Sequence, residues 1–289
     1  MVVAAAIAIV GAGPVGQAFG RLLRLRGLPI VSLASRTRAR AERAAAFVGG
    51  GVRAVALDEV PGTAERVLVA VADDGIAPVA EALARAGMRQ GVALHTCGAR
   101  DSGVLAPLAA HGIACGVIHP LQTLMSPEQG VRALPGITFG LTGDRLALDW
   151  AGEIVTALEG HPLFLAAEQL GSYHAGAVMG SNALIAAIDT AVLLMARAGI
   201  SADDALRALE PLARASLDNA LERGPRAAAT GPVVRGDATT VAMHLAALGG
   251  APRSVEALYR AVAERLREIA RERGLPEAQM RALESVLDG

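Results

Sequence analysis

The sequence predicts a doubly wound, mostly parallel α/β sheet followed by an all-α domain, and three observations lead there. The apolar run Ala4 to Val10 meets Gly11-Ala12-Gly13-Pro14-Val15-Gly16 and then a helix-like run from Gln17 to Arg26, the order strand, glycine turn, helix. Strand-like and helix-like runs then alternate as far as Leu165, as a parallel sheet requires. From Ala166 onward alternation gives way to long alanine-rich helical segments. The division predicted is residues 1–165 for the α/β domain and 166–289 for the helical one.

Each element follows from its residues. In the first turn Gly11 allows a tight bend, Gly13 lets the backbone approach a pyrophosphate, and Gly16 lets helix and strand pack closely. Pro14 and Val15 complete this loop, and the helix behind it presents free N–H groups to a phosphate. The second strand, Pro29 to Ala34, ends in Ser35-Arg36-Thr37, about 20 residues on, where the ribose-reading side chain of a dinucleotide fold is expected. No acid stands there to bond a ribose 2′-OH. Two hydroxyls instead flank a guanidinium suited to a 2′-phosphate, which points to NADP rather than NAD. The plain alternative is a solvated Arg36 on a surface turn, like Arg38 and Arg40.

Ala39 to Phe47 reads as a helix, Arg53 to Leu57 as a short strand, and Arg66 to Ala72 as a buried strand running into Asp73-Asp74-Gly75. Ile76 to Ala86 is a helix, Val92 to Thr96 a strand, Leu105 to His111 a helix and Ile113 to Ile118 a strand. Val71, Ala72 and Thr96, at strand ends, complete the cofactor-binding set. Ile137 to Leu141 and Pro162 to Leu165 read as further strands around an amphipathic helix from Arg145 to Glu159. The helical domain reads as Ala167 to Ala198, Ser201 to Arg223, Val233 to Leu248 and Ser254 to Arg273, with Gly199 ending the first helix and Ser201 and Asp204 forming a capping box on the second.

Composition narrows the chemistry. A chain of 289 residues, 53% hydrophobic, can bury a sizeable core and suits two domains. With 27 basic and 28 acidic residues, scattered rather than blocked, nothing favours a nucleic-acid partner, and a small molecule is expected. All 27 basic residues are arginine, so Schiff-base chemistry and a lysine general acid are excluded. Cys97 and Cys115 form no CxxC pair, and no His cluster has ligand spacing, so no metal site is expected. Met1 to Val10 lacks a basic leader and reads as a strand rather than a signal peptide. Ala183 to Met195 is interrupted by Asp189 and is short for a bilayer, so a cytoplasmic protein without a membrane partner is expected.

Three clusters could carry chemistry. His119-Pro120-Leu121-Gln122-Thr123 stands at the carboxyl end of a predicted strand, where ligands of open α/β sheets bind. There His119 would exchange a proton beside the nicotinamide, and Gln122 and Thr123 would hold a substrate oxygen; the alternative is a strand-end His bonded to a carbonyl. His95, His111 and His161 lack such company and read as structural or exposed. On the first long helix, His174, Ser181, Asn182 and Asp189 project within one sector of an otherwise apolar surface, with Tyr173 alongside. This is a cleft wall or an interhelical hydrogen-bond network. Thr230 to Thr240 combines turn formers with Arg235, able to clamp a carboxylate, and Asp237, which could instead pair with Arg235 in an ordinary loop.

Together the glycine turn, His119-Pro120-Leu121-Gln122-Thr123, Tyr173-His174 with Ser181-Asn182, and Gly231-Pro232 through Arg235-Gly236-Asp237 resemble a family of predicted oxidoreductases. That family joins a Rossmann-like NADP-binding domain to a helical domain of the 6-phosphogluconate-dehydrogenase-like kind, and the resemblance covers nearly the whole chain. More distantly the layout is similar to ketopantoate reductases, whose corresponding helix carries a lysine; here His174 stands in its place, with Asn182 following. His119-Pro120 resembles the His-Pro of prephenate dehydrogenases, and the Thr230 to Thr240 loop is similar in place to the substrate loop of pyrroline-5-carboxylate reductases. The resemblance implies hydride transfer to or from a small carbonyl or secondary alcohol, ketopantoate-like in the first instance. His119 or His174 would exchange the proton, Ser181 and Asn182 orient the reacting oxygen, and Gln122, Thr123, Tyr173, Arg235 and Asp237 bind substrate. An imine reductase of the pyrroline-5-carboxylate type and a non-catalytic NADP-binding regulator are the alternatives. A homodimer through the helical domain is also implied.

Overall fold

The computed structural model describes residues 5–288, so Ala4 of the first apolar run lies outside it. Strands β1 (Ile7–Val10), β2 (Ile30–Ala34), β3 (Arg53–Val55), β4 (Arg66–Val69), β5 (Val92–His95), β6 (Ala114–Pro120), β7 (Thr138–Gly143) and β8 (His161–Phe164) form one eight-stranded sheet. Its order is β3-β2-β1-β4-β5-β6-β7-β8, parallel throughout except between β6 and β7. The first six strands follow the doubly wound order of dinucleotide-binding folds, with the reversal of winding between β1 and β4.

Helices α1 (Pro14–Leu25), α2 (Arg38–Val48), α3 (Ile76–Arg85), α4 (Ala106–Ala109), α5 (Pro127–Ala133) and α6 (Arg145–Ala157) connect these strands. Because side chains alternate across a strand, β1 sends Ile7 and Ile9 to one face and Ala8 and Val10 to the other. The first face packs with Phe19, Phe139 and Trp150, the second with Ile76, Leu83 and Leu105. Trp150 is wholly buried, and the Arg66 guanidinium lies 5.6 Å from its ring centroid while pairing with Glu153. Two local readings change. The first helix starts at Pro14 rather than Gln17, because proline suits the first helical position. An unforeseen helix, α5, starts from the cap Ser126, whose hydroxyl accepts from the Gln129 N–H at 3.1 Å, with Pro127 following.

The helical part comprises α7 (Leu170–Arg197), α8 (Ala202–Arg223), α9 (Pro225–Ala228), α10 (Pro232–Arg235), α11 (Ala238–Ala247), α12 (Arg253–Glu272) and α13 (Glu277–Asp288). Two compact units divide inside α7, between Met179 and Gly180. The second unit's core gathers Val233, Val241, Ala263, Leu283 and Leu287. Gly199 ends α7 in the left-handed conformation, and Ser201 caps α8 by accepting from the Asp204 N–H at 3.2 Å. The single helix expected over Val233 to Leu248 is two helices. Gly236 is left-handed, and Asp237 restarts the chain as the cap of α11, accepting from the Thr240 N–H at 3.0 Å. The short α9 and the terminal α13 were not foreseen.

One feature of α7 contradicts the usual fate of an apolar helix, which is burial. Ala167–Arg197 is long and apolar enough to cross a membrane by length and composition, and none of its most apolar stretch is buried. Met179 and Ile185 are 69% and 66% exposed, and on α8 Leu221 is 75% exposed.

Replacing Trp150 by Ala removes the largest buried side chain of the sheet unit. It is expected to cost about 3–5 kcal/mol in chemical denaturation, with β-sheet circular dichroism of the folded protein retained.

Candidate active site

The glycine turn is built by exclusion. Gly11 has φ +129°, and a Cβ there would lie 2.1 Å from the Ala70 carbonyl oxygen at the end of β4. A Cβ on Gly16 would lie 2.3 Å from the Gly11 carbonyl oxygen. Gly13 faces open space and caps α1 with no side-chain hydrogen bond, so the first-turn N–H groups remain available to an anion. Beside this turn lies a cavity of about 660 Å³, of the size that holds small-molecule ligands. Gly11, Gly13, Ser35, Arg36, Val71 and Ala72 line it, as do Arg38 and Arg40, which the sequence reading left as exposed turn residues. Thr37 is committed elsewhere: its hydroxyl accepts from the Arg40 N–H at 3.4 Å and caps α2. Pro14, Val15 and Gly16 form the first turn of α1, and Thr96 follows β5, its N–H donating to the Val69 carbonyl at 3.2 Å.

Farther along the same carboxyl edge, β6 carries His119 next to its last residue. The first turn of α7 brings Tyr173 and His174 to it. The His119 Nδ1 and the Tyr173 hydroxyl are 2.9 Å apart with their rings edge to face, and the His119 and His174 ring centroids are 5.7 Å apart. Burial, reinforced by the nearby His174 charge, lowers the His119 pKa from 6.5 to about 4, against the opposing pull of Asp73. Burial also raises the Tyr173 pKa. The His119–Tyr173 pair is therefore uncharged at neutral pH, a phenol and an imidazole sharing one hydrogen bond. His174 Nδ1 is shielded from solvent and lacks a hydrogen-bond partner among the described residues.

Of the other histidines, His244 lies in the second unit, its Nδ1 2.8 Å from the Tyr259 hydroxyl, and the remaining three separate cleanly. His95 is fully buried, and its Nδ1 accepts from the Cys97 N–H at 3.2 Å while Nε2 donates to the Asp101 carbonyl at 3.0 Å. It fixes a loop. His111 and His161 are exposed.

Gln122 and Thr123 are exposed in the loop after β6, where the Gln122 side-chain oxygen accepts from the Thr123 N–H at 2.9 Å. Ser181 and Asn182 lie on the part of α7 that belongs to the second unit. In that unit Asp237 is engaged by the Thr240 N–H and hydroxyl, which lower its pKa, and forms no ion pair with Arg235. Arg235, at the end of α10, is exposed.

The comparisons agree with this architecture. Residues 3–120 match the Rossmann-like domain family and residues 137–266 match a domain of unknown function, DUF2520. The two models thus match successive parts of the chain, a Rossmann-like part followed by a part similar to a domain of unknown function. Among solved structures it is similar to protein TM1727 from Thermotoga maritima, with a TM-score of 0.74 and 25% identity over 92% of this chain and 99% of that one. It shares its fold with an imine reductase from Pseudomonas sp., with a TM-score of 0.63 and 19% identity over 97% and 100% of the two chains. A reductive aminase from Aspergillus terreus, in complex with NADPH and ethyl levulinate, matches with a TM-score of 0.61 and 18% identity over 99% and 93%. No curated protein is detectably related to the chain in sequence. The fold is shared with these solved structures.

A lowered imidazole pKa has a defined consequence for stability. The unfolded chain takes up the His119 proton near pH 6.5, whereas the folded chain resists it until about pH 4. This contribution is therefore complete above pH 6.5 and is lost as pH falls toward 4. Denaturation midpoints measured across that window are expected to fall less steeply in His119→Gln than in the parent protein.

Proposed function

We propose that the chain is an NADP-dependent oxidoreductase that moves a hydride between the nicotinamide and the carbon of a small carbonyl or imine group. One juxtaposition carries the reading. The glycine turn with its arginine-lined cavity and the Tyr173–His119–His174 cluster share one edge of the sheet, separated by the step from β1 through β4 and β5 to β6. At the usual strand spacing that is roughly 14 Å, across the strand ends where dinucleotides lie in such sheets.

When bound, the nicotinamide supplies or accepts the hydride. The chain's own residues do the rest. Gly11, Gly13 and the first turn of α1 take the pyrophosphate, and Arg36, helped by Arg38 and Arg40, takes the 2′-phosphate that no acid at the end of β2 would repel. Val71, Ala72 and Thr96 border the path toward β6. His119, neutral at working pH, donates Nδ1–H to the phenolic oxygen of Tyr173. The phenolic proton can then pass to the substrate oxygen or nitrogen as hydride reaches carbon, leaving a phenolate that the Nδ1–H hydrogen bond stabilises until a proton from solvent restores the phenol. Such a pair suits a lysine-free chain, since it needs no cationic acid. Gln122 and Thr123 are assigned to hold the substrate, Ser181 and Asn182 to orient the reacting heteroatom, and Arg235 to anchor a carboxylate where the substrate bears one. A 2-oxo acid of the ketopantoate kind uses every one of these groups; a cyclic imine uses the Tyr173–His119 pair and does not require Arg235.

The proposal extends to a homodimer. The uncovered apolar residues of α7 and α8 call for a covering surface, and an apolar 28-residue helix whose most apolar stretch is unburied is matched in length and chemistry by the same helix of a second copy. Asp189 within α7 and the cofactor cradle of the same chain favour this occupant over lipid, and a cytoplasmic location accords with it.

Three measurements test the proposal. In calorimetric titration NADPH is expected to bind more tightly than NADH, and Arg36→Ala to weaken NADPH about tenfold to a hundredfold with little change for NADH. Panels of 2-oxo acids and cyclic imines with NADPH are expected to show turnover in one set, strongly reduced in Tyr173→Phe; silence in both sets removes the enzyme reading. Sedimentation equilibrium is expected to give a dimer that Ile185→Glu with Leu221→Glu dissociates.

A further inference from the structure

Two glycines touch the His119–Tyr173 pair, one at each ring. Gly98 follows β5 in the loop that begins Thr96-Cys97, and Gly140 is the β7 residue that pairs with His119 across the antiparallel ladder. A Cβ on Gly98 would lie 2.6 Å from the His119 Cε1 and 2.7 Å from each of its ring nitrogens. The imidazole therefore lies across the Gly98 α-carbon. A Cβ on Gly140 would lie 2.7 Å from the Tyr173 hydroxyl oxygen and 2.9 Å from the ring carbon that bears it.

Backbone conformation demands glycine at neither place, because neither residue is among those with left-handed φ. What excludes a side chain is the ring alone. Nor can the backbone retreat to make room. His95 holds the Gly98 loop through the Cys97 N–H at 3.2 Å and the Asp101 carbonyl at 3.0 Å. Gly140 sits inside a strand bonded on both sides, to β6 and to β8. A methyl group at either position would move the aromatic side chain and leave the main chain in place.

We propose that Gly98 and Gly140 are positioning residues, whose missing side chains form the slot that seats the His119 imidazole against the Tyr173 phenol. The inference rests on the reading of that pair as the proton-handling groups. The charged and titratable groups acting on His119 in this slot are His174, Asp73 and His95, with Tyr173 as its hydrogen-bond partner. A ring pushed out of the slot regains water, which removes the dominant cause of its low pKa.

The test uses the full chain with Gly98→Ala and Gly140→Ala, reading the His119 titration by NMR, turnover with NADPH, and NADPH affinity by calorimetry. In Gly98→Ala the His119 midpoint is expected to rise from about 4 toward 6.5. Turnover is expected to fall about tenfold to a hundredfold, the usual consequence of a catalytic group misplaced by about 1 Å, while NADPH affinity stays unchanged. Gly140→Ala is expected to lower turnover in the same way by displacing the Tyr173 hydroxyl. Added to His119→Ala, Gly98→Ala should have no further effect, because the clash has gone. An unchanged His119 midpoint with unchanged turnover in a folded Gly98→Ala protein overturns the inference. A raised midpoint with unchanged turnover upholds the slot and refutes the proton-handling reading instead. Should Gly98→Ala fail to fold, the double variant with His119→Ala is expected to fold and bind NADPH; its failure to do so also overturns the inference.

Discussion

The close approach of two backbones at the β1–β4 junction is the constraint on which the rest depends. At that point Gly11 lies so near the Ala70 carbonyl that no side chain fits, and the chain turns directly from β1 into α1. The winding of the sheet reverses there, opening a crevice above the strand ends. Gly16 packs back on the Gly11 carbonyl, so the same contact aims the start of α1 into that crevice. Arg36, Arg38 and Arg40 reach its far side because β2 ends one strand away and α2 begins at once.

A second tight approach governs the other end of the edge. The antiparallel pairing of β6 with β7 sets Gly140 opposite His119, and the loop held by buried His95 sets Gly98 beneath it. Space rather than charge selects what the histidine can do. Crowded out of solvent, the imidazole is neutral, and its hydrogen bond to Tyr173 becomes its main polar interaction. One residue type thus serves three ends in this chain: His95 as a loop clamp, His119 in the candidate proton relay, and His161 at an exposed sheet edge.

Helix α7 joins both themes. Its first turn supplies Tyr173 and His174 to the sheet edge, while its later turns carry apolar surface that the chain itself leaves uncovered. A helix so composed has a polar end against the sheet edge and an uncovered apolar length, a division visible in the change from Tyr173-His174 to Leu184-Ile185.

The fold class, the glycine turn, the end of α7 at Gly199 and the cap at Ser201 are legible in the order of residues, because each depends on residues within a turn or two of one another. So are the positions of His119 at a strand end and of Tyr173-His174 on a long helix. Their meeting is a product of the fold, since the partners of that hydrogen bond are 54 residues apart. Arg38 and Arg40 read as solvated turn residues until the crevice showed what they face. The break at Gly236 falls among the turn formers of Thr230 to Thr240, where the helical pattern expected over Val233 to Leu248 overlaps them. Gly98 and Gly140 gave no local signal at all, for neither lies in a turn that needs glycine. Their reason for being glycine is an aromatic ring brought from elsewhere in the chain, and a neighbour in space leaves no mark on the residues next in sequence.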